Sequence, residues 1–419
     1  MIITKTIRAC RVCGSNKLVD ILSLGNQCVT NFLDNPKEKI YKAPLVLVLC
    51  DPKFGGCGLL QLKHTFNHDI LYRKYWYKSG ISTMMVKALA DVVKKGQQLI
   101  KLKANDIVID IGSNDSTLLE QYKSNNIIKV GFEPSNLWNI KKGKNTIIFH
   151  NYFNKGDFVK KFGSKKAKII TSLAMFYDLE EPNVFVEDIK ACLDNEGIWI
   201  IQMNYLGLML ENNTFDNISH EHLEYYSFST LEYLLNKHKL VVCDVELNDV
   251  NGGSFRVYVK HANSKIKLSA SAKKRLDIQR KYELKMGFNN PLIYHEFAKR
   301  IKKIKKELVA FLEKEVKRGK IIFIYGASTR GLVVLQFAGI NIKLIKAAVD
   351  KNPDKLGKYI VGTGIPIISL EEYRKHEPDY LFVLPYHFIS EILKQENRFM
   401  KNGGKMITAI PNVKIWSRE

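Results

Sequence analysis

The sequence predicts an α/β chain: a doubly wound, mainly parallel sheet with a small cysteine-rich module before it and a second α/β domain after it. Three observations carry this. From about residue 86 to 260, short apolar runs alternate with helical patterns, as strands joined by crossover helices do. Five of the seven cysteines lie in the first 57 residues. After a lysine-rich helical stretch, strand, glycine turn and helix recur from residue 320. At roughly 100 to 200 residues per domain the 419 residues hold two to three domains. A 46% hydrophobic content excludes global disorder. The chain divides into 1–70, 71–262, a helical linker 263–319, and 320–419.

In the first module, Cys10-Arg11-Val12-Cys13 is a C-x2-C knuckle turned by Gly14. Cys50 and Cys57 form a second, wider pair whose loop can fold back at Gly55-Gly56. Two local thiolate pairs joined by a metal suit a tetrahedral Zn²⁺ site. Four protein ligands leave no open position, so such a zinc is structural. The wide second spacing keeps reduced core cysteines open as the alternative.

In the second module the strand Ile107-Val108-Ile109-Asp110-Ile111 runs into Gly112-Ser113-Asn114-Asp115-Ser116 and a helix expected to open at Thr117-Leu118-Leu119. A ligand there sits over the strand's carboxyl end, beside the helix N-terminus. The next strand, Val130-Gly131-Phe132, ends in Glu133, placed to accept both hydroxyls of a ribose. A dinucleotide needs G-x-G-x-x-G for its pyrophosphate, and only Gly112 is present. A ribose carboxylate without a pyrophosphate cradle points to S-adenosylmethionine; for the loop alone, plain strand-turn-helix packing is the alternative. Further strands are expected at Ile147-Ile148-Phe149, 168–172 and 197–202. Phe176 and Tyr177, after the fourth strand, line the adenine, line the substrate, or simply pack.

The densest polar cluster is Phe215-Asp216-Asn217-Ile218-Ser219-His220-Glu221-His222-Leu223-Glu224-Tyr225-Tyr226-Ser227. His220 and His222 would share a face on a strand and diverge on a helix, and neither H-E-x-x-H nor an obvious third ligand makes this a metal site. A histidine with a neighbouring carboxylate and tyrosines reads better as a general base, its ring oriented and made more basic by the carboxylate. Two smaller signals stand beside it. The turn Tyr75-Trp76-Tyr77-Lys78-Ser79-Gly80, before a helix over 82–94, closes over a site or is a packing edge. In Asn251-Gly252-Gly253-Ser254-Phe255-Arg256, amides and one guanidinium can meet a phosphate, or the segment is a hairpin.

The last module opens with Lys320-Ile321-Ile322-Phe323-Ile324-Tyr325, Gly326-Ala327-Ser328-Thr329-Arg330-Gly331 and a helix over 332–337, where Arg330 and the helix end hold a phosphate or merely pack. The net charge of +23 is mostly dispersed lysine, with no concentration of arginine and aromatics on one face. The expectation is therefore no nucleic-acid partner, although a basic zinc protein that binds nucleic acid is the competing class. No apolar run reaches membrane-spanning length and no signal core is evident. A cytoplasmic protein with no membrane partner is expected, a monomer by default.

Together these motifs resemble one family over essentially the whole chain: the zinc-containing C-methyltransferases that act on nucleotide-linked keto sugars. The likeness rests on the paired cysteines ending in Cys57-Gly58-Leu59-Leu60-Gln61-Leu62, the loop Asp110 to Asp115, Glu133-Pro134, His220-Glu221-His222, Gly252-Gly253-Ser254, Gly326-Ala327-Ser328 and Pro378-Asp379-Tyr380. It implies a class I S-adenosylmethionine methyltransferase domain over 71–262 and a Rossmann-like domain over 320–419 that contacts the nucleotide sugar. It implies methyl transfer to carbon through an enolate, with His222 as base and Glu221 and Tyr77 in support. Asp110, Gly112, Ser113, Asn114, Glu133 and Pro134 then meet the cofactor. Tyr75, His220, Asn251, Gly252, Ser254, Arg256 and Arg330 meet the substrate, and Cys10, Cys13, Cys50 and Cys57 hold structural zinc. Methyl transfer to oxygen, or to another sugar or small acid, is the alternative within the class. The chain departs from the family pattern at Ser116, Ser219, Phe176-Tyr177 and Asn251.

Overall fold

The computed structural model describes residues 4–418 except 30, 73–77, 139–142 and 144. Six strands come first: β1 (Thr4–Thr6), β2 (Leu18–Cys28), β3 (Phe32–Leu33), β4 (Lys42–Cys50), β5 (Leu60–Leu62) and β6 (His64–Phe66). The middle of the chain supplies β7 (Ile107–Ile111), β8 (Ile128–Phe132), β9 (Thr146–Phe149), β10 (Ala167–Leu173), β11 (Leu193–Asn204), β12 (Glu224–Tyr225), β13 (Leu240–Asn248) and β14 (Ser254–His261).

Seven of these form one sheet in the order β13-β14-β11-β10-β7-β8-β9, parallel except for β14, which runs antiparallel to both neighbours. Every residue of β7 is buried, as a strand covered on both faces requires. The helix Thr83–Leu99, its N-terminus capped by Ser82 Oγ on Met85 N, packs Leu89, Val92 and Val93 against Val108, Ile169, Ile198 and Ile200 on one face. Helices Lys155–Phe162, Pro182–Cys192 and Phe228–Lys237 bury Phe158, Phe185, Val186, Ile189 and Leu231 with the main core on the other.

One element departs from expectation. No α-helix opens at Thr117: a single 3-10 turn, Leu119–Gln121, follows the loop. Asp115 Oδ1 accepts from both the amide and the hydroxyl of Thr117 (3.3 and 2.6 Å), a local side-chain to backbone bond that competes with helix start. Ser116 sits at φ +65°, a left-handed conformation natural to glycine.

The N-terminal strands are stitched into both other parts. Their sheet runs β12-β5-β4-β2, so its edge strand β12 comes from the residues just after His222. The expected linker is two helices, Ala270–Met286 and Pro291–Lys317. The C-terminal strands are β15 (Ile322–Tyr325), β16 (Ala347–Val349), β17 (Tyr359–Ile360), β18 (Ile367–Ile368), β19 (Tyr380–Val383), β20 (Lys405–Thr408) and β21 (Lys414–Trp416). Six of them form the sheet β18-β16-β15-β19-β20-β21, parallel but for β21. The seventh, β17, pairs with β3 of the N-terminal part. Among the described residues no helix is long and apolar enough to cross a membrane.

Candidate active site

The paired cysteines converge. Gly14 N returns to Cys10 O (2.9 Å) to close the knuckle. In the second pair Asp51 caps the 3-10 turn Pro52–Phe54, and Gly56 N and Gly58 N return to Asp51 O and Cys50 O, each at 3.0 Å. A Cβ on Gly56 would stand 2.7 Å from Cys50 Sγ, so the wide loop closes only over glycine. The Sγ atoms of Cys10, Cys13, Cys50 and Cys57 all lie within 4.8 Å of one another, Cys13 to Cys50 at 3.4 Å and Cys10 to Cys57 at 3.6 Å. Tetrahedral zinc with bonds of about 2.3 Å sets its sulfurs about 3.8 Å apart. The four thiols fit that ion and leave it no position for a substrate.

The loop after β7 places left-handed residues at alternate positions, Gly112 at φ +70°, Asn114 at +50° and Ser116 at +65°. Glu133 closes it: Asn114 N donates to Oε2 (2.6 Å) and Ser135 N to Oε1 (2.9 Å). Each carboxylate oxygen keeps a further acceptor position, the pair that vicinal ribose hydroxyls need. Ser113 Oγ is buried and, among the described residues, without a hydrogen-bond partner, a polar atom left for a ligand. The residues therefore fit S-adenosylmethionine. Pro134 O accepts from His150 Nε2 (3.2 Å). Ser79 N and Gly80 N donate to Asn114 Oδ1 and Asp115 Oδ2 (3.0 and 2.9 Å), which docks the segment after the tyrosine turn on the loop. Tyr75 and Tyr77 themselves lie outside the described residues.

Asp110 takes a different place from the one expected. It is buried in the sheet, accepts from Thr171 Oγ1 at 2.6 Å, and burial pushes its carboxyl up to about 8. It staples β7 to β10 beneath the loop, next to Glu133.

The His-Glu-His segment is neither strand nor helix but a turn before β12, and it aims its two rings apart. His220 Nε2 bonds Ala43 O of β4 (3.0 Å) and its ring lies 6.3 Å from that of Phe66. His222 Nδ1 meets Asn217 O at 2.7 Å, and Tyr177 packs edge-on against its ring at 4.4 Å. A carbonyl only accepts, so Nδ1 carries the hydrogen and Nε2 keeps the lone pair of a base. The orienting partner is thus Asn217, not Glu221. Burial and the neighbouring Arg330 push the imidazole down to about 4, against the expected rise in basicity; the ring is neutral at physiological pH. Glu221, pushed up to about 7 by burial, faces Asp178, a residue the sequence reading passed over.

The glycine turn meets a different arginine from the one expected. Arg256 lies 3% exposed within the sheet, donating to Gln202 Oε1 and Asp91 Oδ2 (2.8 Å each), so its charge is spent against the helix Thr83–Leu99. Ser254 Oγ donates back to Val250 O (2.8 Å) inside the turn. The guanidinium at the turn is Arg330: its Nη1 bonds Asn251 O (2.5 Å), its Nε and Nη2 pair with Asp216 (2.9 and 2.8 Å), and Tyr386 Oη completes the group at 3.4 Å. A Cβ on Gly252 would stand 3.2 Å from Tyr386 Oη. Asp216 lay inside the polar cluster and was within reach of sequence reading; Tyr386 carried no local signal.

Comparison with known proteins agrees with this organisation. Residues 10–72 match a zinc binding domain family and residues 249–411 match the C-methyltransferase C-terminal domain family. The C-methyltransferase NovU of Streptomyces niveus is 28% identical over 425 residues, spanning 100% of this chain and 99% of that protein. Among solved structures, the plantazolicin methyltransferase BpumL in complex with SAH aligns at 13% identity and TM-score 0.33 over 43% of this chain and 84% of its own. Magnesium protoporphyrin IX methyltransferase from Synechocystis PCC 6803 with bound SAH aligns at 11% and TM-score 0.31 over 42% and 81%. With a C-methyltransferase relative along its whole length, both matched domains and a four-cysteine cluster in the same order, the chain is an S-adenosylmethionine-dependent methyltransferase similar throughout to the C-methyltransferases that carry an N-terminal zinc-binding domain.

Proposed function

We propose that the enzyme adds a methyl group to a carbon beside the ketone of a nucleotide-linked keto-deoxysugar, through an enolate. The observation that carries this reading is His222: a buried, neutral imidazole whose Nδ1 is committed to a carbonyl and whose Nε2 is left as acceptor. Carbon methylation needs such a base, because the C–H next to a ketone must lose its proton before the carbon is nucleophilic. Bound S-adenosylmethionine supplies an electrophilic methyl on a sulfonium. Glu133, Ser113 and Asn114 hold that cofactor by its ribose and polar edge. Asn217 orients the base, and Tyr177 walls its ring from water. The junction of Asn251, Gly252, Arg330 and Tyr386 bounds the substrate side, with 320–419 contacting the nucleotide and 1–70 bracing the His222 turn through β12. Seven cysteines without a disulfide, four of them placed to hold zinc, suit the reducing cytoplasm.

The test is a panel of nucleotide-linked 4-keto sugars incubated with ¹³C-methyl-labelled cofactor, with NMR of the product. A new C–CH₃ signal on a sugar carbon is expected. An O–CH₃ signal moves the reading to oxygen, and no transfer to any member of the panel removes the keto-sugar class.

A further inference from the structure

The buried carboxyl of Asp178 has no part in the scheme above, yet it belongs to the segment that touches both the cofactor loop and the base. It ends the 3-10 turn Phe176–Asp178 that follows β10. Just before it, Met175 lies against Gly112, whose Cβ position would be 3.4 Å from Met175 Cγ. Within it, Tyr177 O accepts from Leu223 N (2.8 Å) and the Tyr177 ring packs on His222. Tyr72 reaches the same place, bonding Asp178 and donating its hydroxyl to Glu221 O at 2.9 Å. Asp178 Oδ1 is buried and, among the described residues, has no hydrogen-bond partner. Among the described residues, the titratable groups that face the carboxyl are Glu221, Glu224, Tyr72, Tyr177 and Tyr225, none of them cationic.

An ionised carboxylate with one oxygen unbonded in such a setting is costly, whereas a neutral acid carries its own donor. Burial and the charge of Glu221 both hold the proton on Asp178. Burial raises the carboxyl of Glu221 to about 7, and the charge it carries when ionised raises Asp178 further. Environments that push two neighbouring carboxyls apart assign them different roles, and a carboxylic acid kept neutral in a dry site serves as a donor to a developing oxyanion.

Resting on the keto-sugar reading, we propose that Asp178 is a further catalytic residue: its carboxylic acid hydrogen-bonds the ketone oxygen of the substrate while His222 Nε2 removes the proton from the adjacent carbon. The C–H bonding pair becomes the C=C bond of the enolate and the carbonyl pair moves onto oxygen, where the Asp178 O–H steadies it. As the enolate carbon takes the methyl, the C=O re-forms, S-adenosylhomocysteine leaves neutral, Asp178 keeps its proton and His222 passes one proton to solvent.

Two arms test this on the full-length protein. In the first, infrared spectra at pH 7, without any substrate, compare wild type with Asp178→Asn and Glu221→Gln. A protonated-carboxyl band absent from Asp178→Asn, and titrating at lower pH in Glu221→Gln than in wild type, is expected. A band unchanged by Asp178→Asn overturns the proposal. The second arm measures kcat on whichever sugar of the panel the wild type methylates. Asp178→Asn, which still offers an N–H, should lose about 10-fold and Asp178→Ala about 10³-fold, both with unchanged calorimetric affinity for S-adenosylmethionine. Equal losses in the two variants would show that an ionised carboxylate was needed and overturn it. If the wild type methylates no sugar, the keto-sugar reading fails separately, and the infrared arm still decides whether Asp178 is a neutral acid.

Discussion

Two loops of this molecule are built alike and end differently. In the central sheet β7 ends at Gly112 (φ +70°), and the acid after the neighbouring strand, Glu133, takes the amides of Asn114 and Ser135. In the C-terminal sheet β15 ends at Gly326 (φ +82°), and the acid after β16, Asp350, takes the amides of Ala327 and Asn352 (2.9 and 2.8 Å). The second loop then commits its acid and its serine to internal partners. Lys355 Nζ bonds Asp350 (3.2 Å) and Ala327 O (2.9 Å), and Ser328 Oγ accepts from Gly331 N (3.0 Å). In the first loop Ser113 Oγ is left over, and among the described residues Glu133 pairs with no cation. On the proposed reading, the same turn serves a ligand where polar groups remain unspent and packs where an internal cation consumes them, so that neighbours such as Lys355, not the glycine turn, decide binding.

Exchanging the two acids sharpens this most. Glu133→Ala should weaken S-adenosylmethionine about 100-fold, two charged hydrogen bonds at roughly 1.5 kcal/mol each. Asp350→Ala should leave that affinity unchanged and instead cost about 3 kcal/mol in urea unfolding, because Lys355 is stranded. Equal effects of both on the cofactor would break the comparison.

Next in size is Asp110, whose counterpart before Gly326 is the apolar Ile324. Its folded carboxyl titrates near 8 and its unfolded one near about 3.9, so the folded state holds a proton that the unfolded state releases. The resulting stability is full below the lower value and is lost as pH rises toward 8. Asp110→Asn should remove that slope and exceed wild type by at least about 2 kcal/mol at pH 8 relative to pH 5. Parallel pH curves would contradict a buried neutral Asp110.

Smaller effects separate the serines. Ser328→Ala should lose about 1 kcal/mol, whereas Ser113→Ala should be neutral or stabilising in the free protein while weakening the cofactor. Ser116→Gly, relieving a left-handed serine, should add about 0.5 to 1 kcal/mol by thermal melting.

What the sequence disclosed follows how local each signal is. The paired cysteines, the strands around Gly112 and the register of Glu133 are short-range patterns, and they were legible. The missing helix after Gly112 was not, because Asp115 turns back on Thr117 and also receives Gly80, a segment 35 residues earlier. Orientation of His220 and His222 depended on a turn where periodicity suggested only strand or helix. The arginine at the glycine turn was misassigned because Arg256 is adjacent in sequence, while Arg330 arrives 79 residues later through the packing of a second sheet. Asp178 and Glu221 meet only because Tyr177 is tied to Leu223, a pairing that no spacing announces.

The central claim is that His222 acts on the substrate and not on the cofactor. The direct measurement is His222→Asn in the labelled-cofactor assay, with calorimetry of S-adenosylmethionine on the same preparation. Turnover should fall at least about 100-fold, as loss of a general base demands, with cofactor affinity near that of wild type. Full turnover in the variant would contradict the account.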